Sequence, residues 1–256
     1  MARLALLAHP AVASAFGREL GRDVEYHARL ASTQDRARAL AEKGAVRGVV
    51  VADEQTAGQG THGRAWVSPP ATSLLASWIL RPAPAAPALF AALAGVAIAR
   101  ALEALGVGGA RLKWPNDVEL SGRKVAGALA HATSDGGGGV LVLGIGVNAH
   151  QRAADFPPEL RGLATSCALA GTRVDRLALL ARLTRELDRL EVPADRGSAM
   201  DEWRARSTLL GKPVTVRIEG RDAFTATATA IDDEGALVVH TPSGVERIVT
   251  GDVRLA

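Results

Sequence analysis

Lys113, Asp117 and Lys124 stand close together in the stretch Lys113-Trp114-Pro115-Asn116-Asp117-Val118, which is followed by Gly122-Arg123-Lys124-Val125-Ala126-Gly127. A turn at Ser121-Gly122 folds residues 118–130 into two short strands, so two ammonium groups and a carboxylate converge on one side of a sheet. Such a set suits a polyphosphate carrying a divalent cation: the lysines oppose phosphate charge, and the acid holds Mg²⁺ or accepts a proton. The alternative is a surface hairpin with solvated charges. Trp114-Pro115 beside Asn116-Asp117 forms a rigid, poorly solvated corner and favours the first reading.

A second candidate is the loop in VVVADEQTAGQGTHGRAWVSPP, residues 49–70. Gly58-x-Gly60-x-x-Gly63 has dinucleotide-binding spacing, and Gly58 to Arg64 approximates a P-loop, but both patterns need a helix behind the glycines. Pro69-Pro70 cannot propagate one. The acid expected about twenty residues on is missing, and Arg64 and Ala65 replace the P-loop Lys and hydroxyl. What survives is an amide-rich loop ending in a cation, Arg64, and an indole, Trp66.

These segments require a scaffold. Ser32-Thr33 caps a helix over 34–43; strands follow at 46–53 and 73–81, with a buried helix over 87–105 opened by Pro87 and stopped by Gly106. Gly136–Gly139 make a loose turn before a buried strand over 140–148. Helices over 174–190 and 198–207 precede a composition shift at Leu209-Leu210-Gly211, after which five short β segments look like a small SH3-type barrel. The 256 residues fit one large domain and one small one, divided as 1–207 and 208–256.

Composition narrows the function classes. A net charge of +3 is too small to argue for nucleic acid by itself. The single cysteine, Cys167, excludes an intramolecular disulfide and favours a reducing, cytoplasmic compartment, and no Cys/His cluster has metal-ligand spacing. Residues 3–15 imitate a signal peptide, but His9-Pro10 interrupts the apolar run. Residues 88–99 are uncharged, yet as a helix they reach roughly 18 Å, too short for a bilayer, so no membrane association is expected.

The ordered set KWPND, GRKVAG and GIGVN, preceded by QTAGxGxxGRAW and by Ser32-Thr33, resembles the motifs of biotin protein ligases from about residue 27 to the C-terminus. The resemblance implies an α/β fold with a class II aminoacyl-tRNA synthetase-like catalytic domain and a C-terminal SH3-like barrel. It further implies ATP-dependent activation of biotin as biotinyl-5′-AMP, with Mg²⁺, and transfer to a lysine of a biotin carboxyl carrier protein. The glycine loop would close as a lid that excludes water from the acyl-adenylate. By this resemblance Ser32, Thr33, Gln55, Gly58, Gly60, Lys124, Gly127 and Leu129 belong to the biotin site, with backbone of 127–129 joining. Lys124 and Arg64 meet the activated carboxyl and phosphate, with Lys113 assisting, and Asp117 holds Mg²⁺ or acts as base. Trp66 covers the adenine, while Asn116 and Asn148 read its edge. Residues also admit simpler roles: Ser32 a helix cap, Trp66 a core residue, Asn148 a turn residue after a strand.

The sequence departs from the family where the loop usually reads Gly-Arg-Gly-Arg-x-Gly-Arg, because Gln59 and Thr61 replace two arginines. Loose retention of the adenylate is expected unless His62 or another residue compensates. His131 stands where the family often has an acid. About 25 residues precede the matched region, too few for a helix-turn-helix, so no DNA binding is expected; a homodimer fits the family. Lipoate protein ligase and a non-catalytic binding protein on the same fold are the competing readings.

Overall fold

Val49, Val50 and Val51 are all buried, yet they face opposite sides of one strand, and this alternation sets the layers of the protein. The computed structural model describes residues 4–84, 86–134 and 138–256, the side chain of His62 excepted. The compensation expected of His62 and part of the turn expected at 136–139 therefore lie outside the described residues.

A 3₁₀ turn over Leu4–Ala8 leads into α1 (Pro10–Leu20), β1 (Asp23–His27), α2 (Thr33–Glu42), β2 (Arg47–Ala52), β3 (Ser73–Leu80) and α3 (Pro87–Glu103). β4 (Arg111–Lys113), β5 (Asp117–Leu120), β6 (Arg123–Thr133) and β7 (Val140–Asn148) follow, then α4 (Arg176–Glu191) and α5 (Pro193–Arg206). Strands run in the order β1-β2-β3-β7-β6-β5-β4, with β1 parallel to β2 and every other neighbouring pair antiparallel.

On one face, Val50, Ile79, Val140 and Val142 pack with Ala37 and Ala41 of α2. On the other, Val49, Val51, Trp78, Leu143 and Ile145 belong to the main core with α3 and α4. α3 is apolar almost all round because the sheet, α4 and α5 enclose it. The buried indoles on this side are satisfied: Trp78 Nε1 donates to Thr184 Oγ1 at 3.0 Å, and Trp203 Nε1 to the Ala92 carbonyl at 3.1 Å.

β8 (Pro213–Arg217), β9 (Phe224–Ile231), β10 (Leu237–Thr241), β11 (Gly244–Ile248) and β12 (Asp252–Leu255) form a second, antiparallel sheet ordered β11-β10-β9-β8-β12. It docks on the first part through Trp114, whose Nε1 donates to the Gly235 carbonyl at 3.0 Å, and through Arg204, which donates to the Ile231 carbonyl at 3.0 Å.

Two differences from the sequence expectations have local causes. The unread N-terminus is structured: Leu4 and Leu7 are buried in the core, Pro10 opens α1, and Gly21 ends it with φ 60°. Of the apolar run that imitates a leader, Leu4 and Leu7 face the core while Leu6 and Val12 are exposed. α5 begins at Pro193, five residues before the expected start, because Pro fits the first helical turn. The hairpin follows the expectation, with Ser121 at φ 50° and Gly122 at φ 71°, as a two-residue turn requires. Among the described residues no helix is long and apolar enough to cross a membrane.

Candidate functional site

A cleft is lined by Ser32, Thr33, Gln34, Gln55, Lys124 and Trp66, together with β6 and β7 backbone. The polar end is built from the start of α2. Ser32 caps the helix, its Oγ accepting from the Asp35 N–H at 3.4 Å, so the cap and cleft roles coincide in one residue. The Gln55 Oε1 accepts from the Thr33 N–H at 2.7 Å and from Thr33 Oγ1 at 2.9 Å. With its oxygen occupied, Gln55 turns its Nε2 donors away from Thr33, and Nε2 lies 3.0 Å from where a Cβ on Gly58 would stand. Thr33 Oγ1 is also 2.8 Å from Ser77 Oγ, which fixes it to β3.

Gln34 escaped the sequence reading. It is buried, its Nε2 donates to the Leu129 carbonyl at 2.5 Å, and its Oε1 has no partner. The room it fills exists because residue 144 is glycine: a Cβ there would lie 2.5 Å from Gln34 Nε2. Gly146, two residues on and on the same face, serves Trp66 in the same way, since a Cβ would meet the indole at 2.6 Å. Two glycines at period two inside a buried strand were the available signal, for such residues mark close approach by another group. Trp66 Nε1 is buried without a partner, in contrast to the satisfied indoles of Trp78, Trp114 and Trp203.

Lys124 and Asp117 meet as the hairpin requires. Lys124 Nζ lies 2.5 Å from Asp117 Oδ1 and 5.6 Å from the Trp66 ring centroid, within cation–π range. Gly127 keeps this contact open, because a Cβ would press within 3.1 Å of the Lys124 Cε and Nζ. The Lys124 backbone is itself held: its N–H donates to the Leu163 carbonyl at 2.8 Å, and its carbonyl accepts from Thr165 at 2.8 Å. On the neighbouring strand, burial pushes the Glu119 carboxyl up, with Lys113 opposing, Asp117 reinforcing and Lys124 opposing. Lys113 pairs with Asp117 across β4 and β5 and contributes to the field of Glu119 and Asp252.

Asn116 lines the cleft and donates to the Ala128 carbonyl. Asn148 does not line it: Nδ2 donates to the Thr165 carbonyl at 3.0 Å and Oδ1 accepts from Gln151 at 2.8 Å. Its side chain ties residues 151–165 to β7. Arg64 also stands off the cleft, exposed and folded onto its own loop, where Nε donates to the Thr61 carbonyl at 3.2 Å and Nη2 to Thr61 Oγ1 at 3.0 Å. Gly60 lines the cleft, and Gly58 permits the loop to fold because a Cβ would meet the Trp66 carbonyl at 2.5 Å.

Beneath the loop, Asp53 accepts from Arg176 Nη1 at 2.7 Å and from Tyr26 OH at 2.8 Å. Burial and Asp53 push the Tyr26 phenol up to about 12. This set, in which Arg176 is buried and Tyr26 and Asp53 half-buried, holds the β2 end from which Gln55 departs. Among the described residues no group of three or more His, Cys, Asp or Glu could hold a metal ion. Asp117 is a single carboxylate facing Lys124.

The cleft has a polar end, an apolar middle and a cation at its wall, and residues 26–148 match the biotin/lipoate A/B protein ligase family. Residues 209–255 match the biotin protein ligase C-terminal domain. The chain belongs to the biotin protein ligases. It is 34% identical over 245 residues to the bifunctional ligase/repressor BirA of Bacillus subtilis, covering 92% of this chain and 75% of that one. It is likewise 34% identical over 244 residues to the biotin–[acetyl-CoA-carboxylase] ligase of Mycobacterium tuberculosis, covering 91% and 88%. The Aquifex aeolicus biotin protein ligase in complex with biotin and ATP superposes with a TM-score of 0.78 at 26% identity, covering 91% of this chain and 99% of that one. The fold is therefore the class II synthetase-like catalytic domain with an SH3-like C-terminal sheet.

Proposed function

We propose that this chain joins biotin to ATP as biotinyl-5′-AMP and passes the biotinyl group to a lysine of a biotin carboxyl carrier protein, residues 1–207 forming the catalytic domain and 208–256 the small domain. One observation carries the assignment of the site: Gln34 Oε1 and Trp66 Nε1 are buried without partners, and Lys124 stands in the same cleft. Unpaired buried polar atoms are costly, and a ligand that pairs them recovers that cost.

Biotin's cyclic urea offers one carbonyl and two N–H groups. Gln55 Nε2 and the Ser32 hydroxyl donate to the carbonyl, and Gln34 Oε1 accepts from an N–H. Leu75, Leu129 and Ile145 line the apolar stretch beyond, and the carboxylate emerges at Lys124. ATP enters under Trp66, with Asn116 at the base edge, and brings Mg²⁺ on its phosphates. A biotin carboxylate oxygen then attacks the α-phosphorus and pyrophosphate leaves. Lys124 lowers the repulsion between the two reacting anions. Lys124 is paired with Asp117; once phosphate binds, Lys124 turns to it and Asp117 is released to take the proton from the acceptor amine. That amine attacks the acyl carbon, the acyl–phosphate C–O bond breaks, and AMP departs. Arg64 and Lys113 meet the phosphates from the outer side, Arg64 exchanging Thr61 for phosphate oxygens. Asn148 acts through residues 151–165, which it holds beside Lys124. The carrier-protein acceptor, a cytoplasmic setting and the absence of DNA binding belong to this reading.

The test is biotin-dependent exchange of labelled pyrophosphate into ATP, with Lys124→Ala alongside. Exchange that needs biotin, ignores lipoate and falls at least a hundredfold in the variant is the expected result. Lipoate-dependent exchange, or full exchange without Lys124, would overturn the assignment.

A further inference from the structure

The loop over residues 56–66 is tied to the body at its root by main-chain bonds, Thr56 N–H to the Leu30 carbonyl at 3.0 Å and Ala57 N–H to the Ala31 carbonyl at 2.9 Å. Its crest closes on itself, with Gly60 N–H donating to the Arg64 carbonyl at 2.7 Å and Trp66 N–H to the Gly58 carbonyl at 2.9 Å. Arg64 also bonds inward, to Thr61. Among the described residues, Gln59 carries a side-chain bond from the crest to the body: its Nε2 reaches Asp35 of α2, 3.2 Å from each carboxylate oxygen. Asp35 Oδ1 also accepts from Arg38 on the next turn, which fixes the carboxylate toward the loop. The same first turn of α2 supplies Ser32, Thr33 and Gln34 to the cleft. Thus the wall and the fastening of the lid come from four consecutive residues.

We propose that Asp35 is a positioning residue that fastens the lid by holding Gln59 across the cleft mouth, and that this neutral-to-anionic bond sets how long the acyl-adenylate is retained before an acceptor amine arrives. The inference rests on the function proposed above. Gln59 stands where a cation is usual for the resembling loops, so the fastening has half the charge it can carry. An arginine at 59 would make a bidentate charge pair with Asp35, which is stronger than an amide on the same carboxylate. The bond lies at the surface, so it tunes the lid and does not lock it.

The measurement is release of biotinyl-AMP formed in place by the full chain from biotin and MgATP, followed after rapid gel filtration, in the natural sequence, Asp35→Ala, Gln59→Arg and the double variant. We expect release roughly threefold faster in Asp35→Ala and roughly threefold slower in Gln59→Arg, each being the size of an exposed polar pair. In the Asp35→Ala background, Gln59→Arg loses most of its effect. Labelling of bystander lysines, counted by mass spectrometry, follows the release rates. A role of Asp35 confined to capping α2 would lower thermal stability without coupling to residue 59. Equal release from the natural chain and Asp35→Ala overturns the proposal, and so does equal slowing by Gln59→Arg in both backgrounds, since arginine would then act on the phosphate directly. A natural chain that makes no adenylate removes the functional reading and the latch together, whereas adenylate formation with unchanged release removes the latch alone.

Discussion

Placing a methyl group at residue 144 or at residue 146 separates the two halves of the site. A Cβ on Gly146 would stand 2.6 Å from Trp66 Cε2 and Cζ2, where ordinary contact begins at 3.4 Å, so the indole must withdraw by about 1 Å. Neither glycine has a positive φ, so the backbone accepts alanine and the whole effect comes from lost space. Trp66 sits on a surface loop and can move, whereas Gln34, which a Cβ on Gly144 would meet at 2.5 Å, is 4% exposed and held by Leu129. Overpacking of this size costs about 1–3 kcal/mol, equivalent to roughly five- to more than a hundredfold in an equilibrium constant. Gly146→Ala should therefore raise the KM for ATP within that range, hold the KM for biotin within about twofold, and leave the melting temperature near that of the natural chain. Gly144→Ala should do the reverse: it raises the KM for biotin and lowers the melting temperature, because the displaced Gln34 loses its bond to Leu129. Pyrophosphate exchange at varied biotin and varied ATP reads both constants from one assay. Equal effects of the two variants on both substrates would refute the division of the cleft, and an unchanged ATP KM in Gly146→Ala would refute Trp66 as the adenine cover.

Two further outcomes follow from buried charge. Arg176→Ala leaves the half-buried Asp53 with Tyr26 as its side-chain partner among the described residues; breaking a pair with a buried guanidinium costs about 3–5 kcal/mol, so the melting temperature should fall by roughly 6–20 °C in a calorimetric scan. Glu119→Gln should raise stability at neutral pH. Burial lifts the folded carboxyl above its usual 4.5, so the natural chain is at its best below the unfolded value and loses that contribution as pH rises through the folded one. The advantage of glutamine therefore shrinks as pH falls and is gone once Glu119 is protonated in both states, which melting curves across that range would show; a constant advantage at every pH would contradict it.

Much of the scaffold was legible because its signals are local. Pro87 and the stop near Gly106 bounded α3, and Ser121-Gly122 announced a turn whose φ angles are both positive. The ordered motifs named the family, and the convergence of Lys124 with Asp117 followed from a two-residue turn. What the sequence did not disclose depends on long-range partners. Gln34 looks like any polar residue in a helix until the Leu129 carbonyl, 95 positions away, accepts a hydrogen bond from its amide. Asn148 closes β7, and its amide bonds with Thr165 and Gln151, partners that only the fold brings to it. Arg64 differs in that its partner is local: its position is set by Thr61, three residues back, and not by the phosphate it is proposed to meet.

The parallel strand β1 gives the molecule a boundary that differs from the one similarity draws. The family match begins at residue 26, inside β1, which spans Asp23–His27. A chain trimmed to begin there would discard Leu4, Leu7 and Leu20 from the interior. It would also discard Arg22, whose fully buried guanidinium pairs with Asp188 and Glu191 and leaves Arg47 to neutralise both. β2 would become the outermost strand, presenting unpaired amides and carbonyls to any other chain. A shortened protein of this kind would precipitate or self-associate through that margin while its cleft stayed chemically complete, so a failed preparation would reflect where it was cut and not what it catalyses.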